Sequence, residues 1–131
     1  MTTFTASRLL LVDDEPEILT NVAAYLRRRD LLVTTASGYE QADRIVNDPR
    51  QPFDILVTDV RMPDGSGMEL SRTFMRRSGG GPCILMTGHL DLSDLGPDLL
   101  KSGLIVVYKP FSASALCAKV REALAAVPLR G

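Results

Sequence analysis

The sequence has 131 residues, 45% of them hydrophobic and 24% charged, and these values are typical of one compact globular domain. Its 15 basic and 16 acidic residues leave a formal net charge of -1, so it lacks the basic excess typical of nucleic-acid-binding domains. No apolar run approaches the roughly 20 residues of a membrane-spanning helix, and the N-terminus has no apolar segment of signal-peptide length, so we expect a cytoplasmic protein.

Five short apolar runs predict five buried strands. Between them lie longer segments in which apolar residues recur at helical spacing. Strands that are apolar throughout, alternating with helices, indicate a parallel sheet covered on both faces. The predicted strands are residues 8–13, 31–36, 53–58, 83–86 and 104–108.

Three of the helices carry recognisable start signals. Pro16 stands just inside the first helix, where the missing N–H of proline costs nothing. Ser37 with Glu40, and Ser66 with Glu69, have the S-x-x-E spacing of a capping box, in which each side chain satisfies a backbone N–H of the other residue. We therefore expect the second and third helices to start at these positions.

Breaker residues predict where the helices end. Glycines 79–81 should stop the third helix, and Gly96 with Pro97 should shorten or bend the fourth. Pro128 should end the fifth helix. We expect one domain over residues 1–131, with a core from about 8 to 127 and no output domain.

Polar side chains cluster at the predicted strand ends. Asp13 and Asp14 follow the first strand, Asp59 follows the third, Thr87 ends the fourth and Lys109 ends the fifth. In the flavodoxin-like strand order 2-1-3-4-5, the first and third strands are neighbours where the order reverses, and ligands bind at the carboxyl ends there. The three carboxylates would therefore share one crevice.

This group of residues suits phosphoryl transfer to a carboxylate. Carboxylates side by side repel one another, and a hard cation such as Mg2+, which takes oxygen ligands and keeps several waters, would relieve the repulsion. A carboxylate is then the nucleophile, while the cation and Lys109 neutralise charge on the phosphoryl oxygens. Thr87 offers a hydrogen bond to the phosphoryl group after transfer.

The chain resembles the receiver domain of bacterial response regulators from Arg8 to about Val127. The matching segments are LLLVDDEP at 9–16, DILVTDVRMPDGSGMEL at 54–70, ILMTGH at 84–89 and YKPF at 108–111. Each segment stands at a predicted strand end, and all four occur in order. The resemblance implies a (βα)5 receiver fold and a phosphoacceptor role in two-component signalling.

The resemblance also implies a role for each acidic residue. Asp59 would be the phosphoacceptor. Asp14 and Asp59 would bind Mg2+, with Asp13 in support, directly or through water. The main-chain carbonyl of Arg61 would be the third protein ligand of the ion.

The remaining implied roles concern signalling. Thr87 would be the switch hydroxyl, and Lys109 would pair with the phosphoryl group. A histidine kinase or a phosphotransfer protein would donate the phosphoryl group, and a downstream protein of unknown identity would recognise the altered surface. The chain would catalyse its own phosphorylation and dephosphorylation without turning over a separate substrate.

One departure from the family pattern concerns the fifth strand. Receivers usually carry an aromatic residue three positions before the lysine, whereas this chain has Val106 there. Tyr108 lies two residues later, with its side chain on the same face of the strand. It could replace the missing aromatic residue, but we favour an ordinarily packed strand residue. His89, the only histidine, is interpreted as an exposed loop residue.

Other functions fit the sequence less well. A phosphatase with an aspartate nucleophile often uses a second aspartate two residues later, where this chain has Arg61. A dinucleotide-binding enzyme would need a G-x-G-x-x-G turn after the first strand. A transcription factor would need a DNA-binding domain. The main alternative is a docking module that no longer depends on phosphorylation, which the missing aromatic residue at Val106 keeps open.

Overall fold

The structure is a computed structural model that describes residues 6–89 and 92–126. Five parallel strands form the main sheet in the order β2-β1-β3-β4-β5, which confirms the predicted flavodoxin-like topology. The strands are β1 Arg8–Val12, β2 Leu32–Ala36, β3 Ile55–Asp59, β4 Cys83–Thr87 and β5 Ile105–Tyr108. The helices are α1 Pro16–Arg27, α2 Tyr39–Val46, α3 Gly67–Ser78, α4 Pro97–Lys101 and α5 Ala113–Ala125. Among the described residues, no helix is long and apolar enough to span a bilayer.

The hydrophobic core has a layer on each face of the sheet. Along β1, Leu9 and Leu11 pack with α1 and α5, whereas Leu10 and Val12 pack with α2 and α3. This alternation follows from the two-residue repeat of a strand. All four side chains are fully buried, and each contributes about 1.5–3 kcal/mol relative to an exposed position. The central strands are thereby fixed in register, and their carboxyl ends line up.

The local signals at α1 and α3 are confirmed with one exception. Pro16 occupies the first turn of α1, and Gly79 ends α3 in the left-handed conformation with φ of 72°. The Ser66 hydroxyl caps α3 by accepting a hydrogen bond from the Met68 N–H at 3.1 Å. The carboxylate of Glu69 forms an ion pair with Arg72 instead of completing the capping box.

The capping box predicted at Ser37 is wrong. The N-cap of α2 is Gly38, and the Ser37 hydroxyl donates to the side chain of Gln41. The first backbone N–H groups of α2, those of Tyr39 and Glu40, donate to the carboxylate of Asp64 at 2.9 and 3.0 Å. Because Asp64 lies in the turn between β3 and α3, a distant residue caps this helix and joins it to that turn.

The fourth helix is short, as Gly96 and Pro97 predicted. A 3-10 turn at Leu92–Asp94 precedes α4, which has 5 residues. An ion pair between Arg72 Nε of α3 and Asp98 Oδ2 of α4, at 2.8 Å, holds the two helices together. Towards the C-terminus, α5 ends at Ala125 with Ala126 as its C-cap, and the predicted stop at Pro128 lies outside the described residues.

Stability measurements can distinguish capping of α2 by Asp64 from the predicted capping box at Ser37. Asp64→Ala should lower the midpoint of urea denaturation at pH 7, because two backbone N–H groups of α2 lose their acceptor. The backbone N–H groups of Glu40 and Tyr39 lower the pKa of Asp64, so its contribution to stability is present above the ordinary carboxyl pKa. The gap between the wild type and the variant should therefore narrow as the pH falls through the acid range.

Ser37→Ala is the matched control, since this hydroxyl binds only an exposed side chain of the same helix in the structure. We expect it to denature close to the wild-type midpoint. If Ser37→Ala lowers the denaturation midpoint more than Asp64→Ala does, the capping box at Ser37 is supported and the cap from Asp64 is contradicted.

Candidate functional site

Three carboxylates meet at the carboxyl ends of β1 and β3. Oxygen atoms of Asp13, Asp14 and Asp59 lie within 4.8 Å of one another. Asp13 and Asp59 are buried, whereas Asp14 is exposed. The register of the sheet explains the meeting, because Val12 of β1 pairs with Thr58 of β3, and the next residues along each strand are acidic.

Asp13 is held in place by donors from the protein itself. Its Oδ1 accepts a hydrogen bond from the backbone N–H of Glu15 at 2.9 Å, and its Oδ2 accepts one from Lys109 Nζ at 3.0 Å. With both oxygens engaged, the fully buried Asp13 is suited to supporting a ligand site. The exposed Asp14 is the carboxylate most open to an incoming ion.

The electrostatics of Asp59 indicate a need for positive charge. Burial is the main cause that raises its pKa, to about 6, with a further rise from the negative charge of Asp13 and the neighbouring Asp14. The positive charge of Lys109 acts in the opposite direction but does not cancel the rise. Three hard oxygen donors with too little compensating charge fit a cation such as Mg2+.

Lys109 connects the end of β5 to this cluster. Its Nζ lies 3.0 Å from Asp13 Oδ2, 3.4 Å from Glu15 Oε1 and 3.5 Å from Asp59 Oδ2. Burial opposes the charge on Lys109, but the hydrogen bond and charge of Asp13, with the charges of Asp59 and Glu15, raise its pKa overall. The lysine therefore stays protonated and available to pair with an anion near Asp59.

The Thr87 hydroxyl is turned towards the loop that follows β4. It is almost fully buried, donates to the main-chain oxygen of His89 at 3.0 Å, and accepts from the His89 N–H at 3.2 Å. Thr87 thus lies at the predicted strand end, and its hydroxyl bonds to the backbone rather than to a carboxylate. The His89 side chain is exposed, as predicted.

A short hairpin follows β3. Arg61–Met62 pairs antiparallel with Gly65–Ser66, so the main chain of Arg61 is fixed next to the acidic cluster. The Gly67 N–H donates to the Val60 carbonyl at 2.8 Å. A Cβ atom on Gly67 would lie 2.0 Å from the main-chain oxygen of Asp59, so only glycine allows this close approach.

The environment of the fifth strand differs from our preferred interpretation. Tyr108 is 50% exposed, so it is not an ordinarily packed strand residue. It pairs in register with Thr87, next to the site. Val106 is partly buried and packs against the buried cluster formed by Val60, Leu85, Leu95 and Leu99, of which Leu99 belongs to α4. The position that usually holds an aromatic residue is therefore part of a small aliphatic cluster.

Two residues of this region were missed from the sequence. Glu15 extends the acidic cluster to the lysine, and Asp64 anchors the hairpin to α2. Glu15 directly follows Asp13 and Asp14, and a third acidic residue in a row was a signal for a larger cluster. The signal is ambiguous, because acidic residues are also favoured at the start of a helix, where they interact with its dipole. No local pattern distinguished Asp64 from an ordinary turn residue.

Comparisons with known proteins agree with this geometry. Residues 9–121 match the family described as "Response regulator receiver domain". The chain is 34% identical to the response regulator protein PilR of Pseudomonas aeruginosa over 73% of this chain and 21% of PilR. It is 33% identical to the probable transcriptional regulatory protein TcrX of Mycobacterium tuberculosis over 88% of this chain and 49% of TcrX. It thus spans less than half the length of either relative.

A solved structure shows the same fold over nearly the whole chain. The crystal structure of a response regulator receiver domain protein from Clostridium thermocellum superimposes with a TM-score of 0.79 at 30% identity. The match covers 91% of this chain and 94% of that one. The sheet that brings the acidic residues together is therefore shared with that protein.

The raised pKa of Asp59 predicts how stability depends on pH in metal-free protein. A carboxyl group whose pKa is higher in the folded state stabilises the fold below its ordinary pKa, and this contribution is lost as the pH rises through about 6. Asparagine does not ionise, so Asp59→Asn does not undergo this loss of stability as the pH rises. In EDTA it should stabilise the protein at pH 7.5 by roughly 1–3 kcal/mol, since one pKa unit corresponds to about 1.4 kcal/mol, with a smaller effect near pH 4.

The control for this measurement is Asp30→Asn, which removes an exposed charge at a position with φ of 67° that asparagine also tolerates. Urea denaturation at both pH values gives the free energies of unfolding. A gap between Asp59→Asn and wild type that is the same at pH 4 and pH 7.5 would show that Asp59 titrates normally.

Proposed function

The chain belongs to the response regulator receiver domain family of two-component systems, and we propose that it accepts a phosphoryl group on Asp59 in a Mg2+-dependent reaction. The observation that carries the proposal is the position of Asp59. It is a buried carboxylate at the carboxyl end of β3, within ion-pair distance of Lys109 and next to two further carboxylates. This is a nucleophile with a counter-charge already in place.

The acidic cluster would hold the metal ion. Asp14 and Asp59 would be direct ligands with the main-chain carbonyl of Arg61, and Asp13 would support them directly or through water. The oxygen donor set and the raised pKa of Asp59 support this assignment. When bound, Mg2+ supplies positive charge that stabilises the phosphoryl oxygens.

The residues of the chain then have distinct roles in the transfer. An Asp59 carboxylate oxygen forms a bond to phosphorus, and the bond from phosphorus to the donor breaks with its electron pair remaining on the donor. Lys109, whose Nζ lies 3.5 Å from Asp59 Oδ2, pairs with a phosphoryl oxygen. For Thr87 to bind the phosphoryl group, its hydroxyl has to leave the His89 carbonyl.

The same movements give the signal a route to the surface. Thr87 ends β4, and Lys109 follows β5, so their displacement changes the face formed by these strands and α4. A downstream protein would bind this face in the phosphorylated form. A histidine kinase or a phosphotransfer protein would be the donor. A cytoplasmic location goes with this role because histidine kinases take the phosphoryl group from ATP inside the cell.

Acetyl phosphate tests the acceptor without a partner protein. Incubation with this small donor and Mg2+ should increase the intact mass by one phosphoryl group. Asp59→Asn should abolish the increase, as should EDTA, because the nucleophile or the neutralising charge is then missing. Asp30 is an exposed acidic residue between α1 and β2, outside the acidic cluster, so Asp30→Asn should become phosphorylated like the wild type.

Two outcomes would count against the proposal. Phosphorylation that persists in Asp59→Asn would place the acceptor at another residue. A wild type that binds Mg2+ but takes no phosphoryl group from acetyl phosphate or from a phosphohistidine donor would favour a docking module that is independent of phosphorylation.

A further inference from the structure

Lys109 is shared by three carboxylates, and one of them lies outside the acidic cluster. Glu15 Oε1 is 3.4 Å from Lys109 Nζ, closer than Asp59 Oδ2 at 3.5 Å. In the proposed reaction, the lysine has to turn from these partners to the arriving phosphoryl group. Glu15 therefore competes with that group for the same ammonium ion.

The backbone of Glu15 is fixed, while its side chain has no role in the helix it precedes. Its N–H donates to Asp13 Oδ1 at 2.9 Å, and its carbonyl accepts from the Leu19 N–H at 3.2 Å, which starts α1. Glu15 is the N-cap residue, but its carboxylate makes no capping hydrogen bond. The side chain that could have capped α1 extends to Lys109 instead.

We propose that Glu15 is a positioning residue that retains Lys109 beside Asp13 and thereby slows phosphorylation of Asp59. This inference rests on the proposed function. The ammonium group of Lys109 has three N–H donors and already faces three carboxylates, so a further partner is gained only as one of these is given up. A ground-state partner absent from the transition state lowers the rate of transfer.

The expected size of the effect follows from the exposure of the pair. The Glu15 side chain is 60% exposed, so solvent screens the attraction and the pair is weak. Glu15→Gln keeps the shape and removes the charge. At low ionic strength and saturating Mg2+, we expect it to raise the second-order rate constant for phosphorylation by acetyl phosphate about two- to fivefold.

Glu17→Gln is the matched control for loss of a negative charge near the site. Glu17 lines the same open groove as Glu15 and Lys109, but within the described residues it is not among the ion-pair partners of the lysine. We expect it to leave the rate constant near the wild-type value. Glu15→Asp is the second control, because it keeps the charge but is one methylene shorter, and it should also accelerate the reaction.

Each outcome distinguishes the inference from the function on which it rests. Glu15 does not retain the lysine if Glu15→Gln reacts at the wild-type rate, or if Glu17→Gln reacts as fast as Glu15→Gln. In both cases the wild type is still phosphorylated on Asp59, so the proposed function stands. If Glu15→Asp reacts like the wild type while Glu15→Gln is faster, charge rather than contact sets the rate, and the inference also fails. A wild type that takes no phosphoryl group overturns the proposed function and this inference with it.

The contact itself can be observed without phosphorylation. The sequence has three lysines, so selective isotope labelling gives a simple NMR spectrum in which Lys109→Arg identifies the signal of Lys109. At one fixed pH, Glu15→Gln should shift that signal and Glu17→Gln should not. An unshifted signal in Glu15→Gln would exclude the contact and overturn the inference.

Discussion

Three carboxylates whose oxygens lie within 4.8 Å of one another are the constraint on which the rest of this site depends. Burial of Asp59, together with the negative charges of Asp13 and Asp14, raises the pKa of Asp59 to about 6, so ionising the whole cluster is unfavourable. Burial of β1 from Leu9 onwards and of β3 along its whole length offsets this cost. The same repulsion favours the approach of positive charge, so the carboxylates that destabilise the fold when ionised are also suited to hold a cation.

Lys109 compensates only part of that charge, which keeps the site responsive. A lysine paired fully with one carboxylate would be a static structural ion pair. Here its ammonium group is divided among Asp13, Asp59 and Glu15, at distances from 3.0 to 3.5 Å. Because no single partner holds it, a group with more negative charge can draw it away at modest cost. The arrangement therefore favours exchange of partners over maximal stability.

The sequence predicted the features that depend on burial, but it missed the contacts that side chains make with residues far along the chain. Continuous apolar runs identified all five strands, and the parallel sheet then required Asp13, Asp59 and Lys109 to converge. The S-x-x-E pattern places the cap of α2 at Ser37, because capping patterns are local, whereas the actual acceptor, Asp64, is 25 residues from Tyr39 along the chain. The contact between Glu15 and Lys109 joins residues 94 positions apart, and no local pattern indicates it either. Only the folded chain brings such pairs together.

A cluster of aliphatic side chains links the residue after Asp59 to the shortened α4. Val60 follows Asp59 directly and packs with Leu85, Leu95 and Leu99, while Val106 contacts the same cluster from β5. A shift of the main chain at Asp59 therefore moves a side chain that lies beneath α4. With only 5 residues, α4 has few intrahelical hydrogen bonds, so its position is set by this cluster and by the ion pair from α3. Close packing of aliphatic side chains transmits small displacements well, because the densely packed interior has few voids that could absorb them.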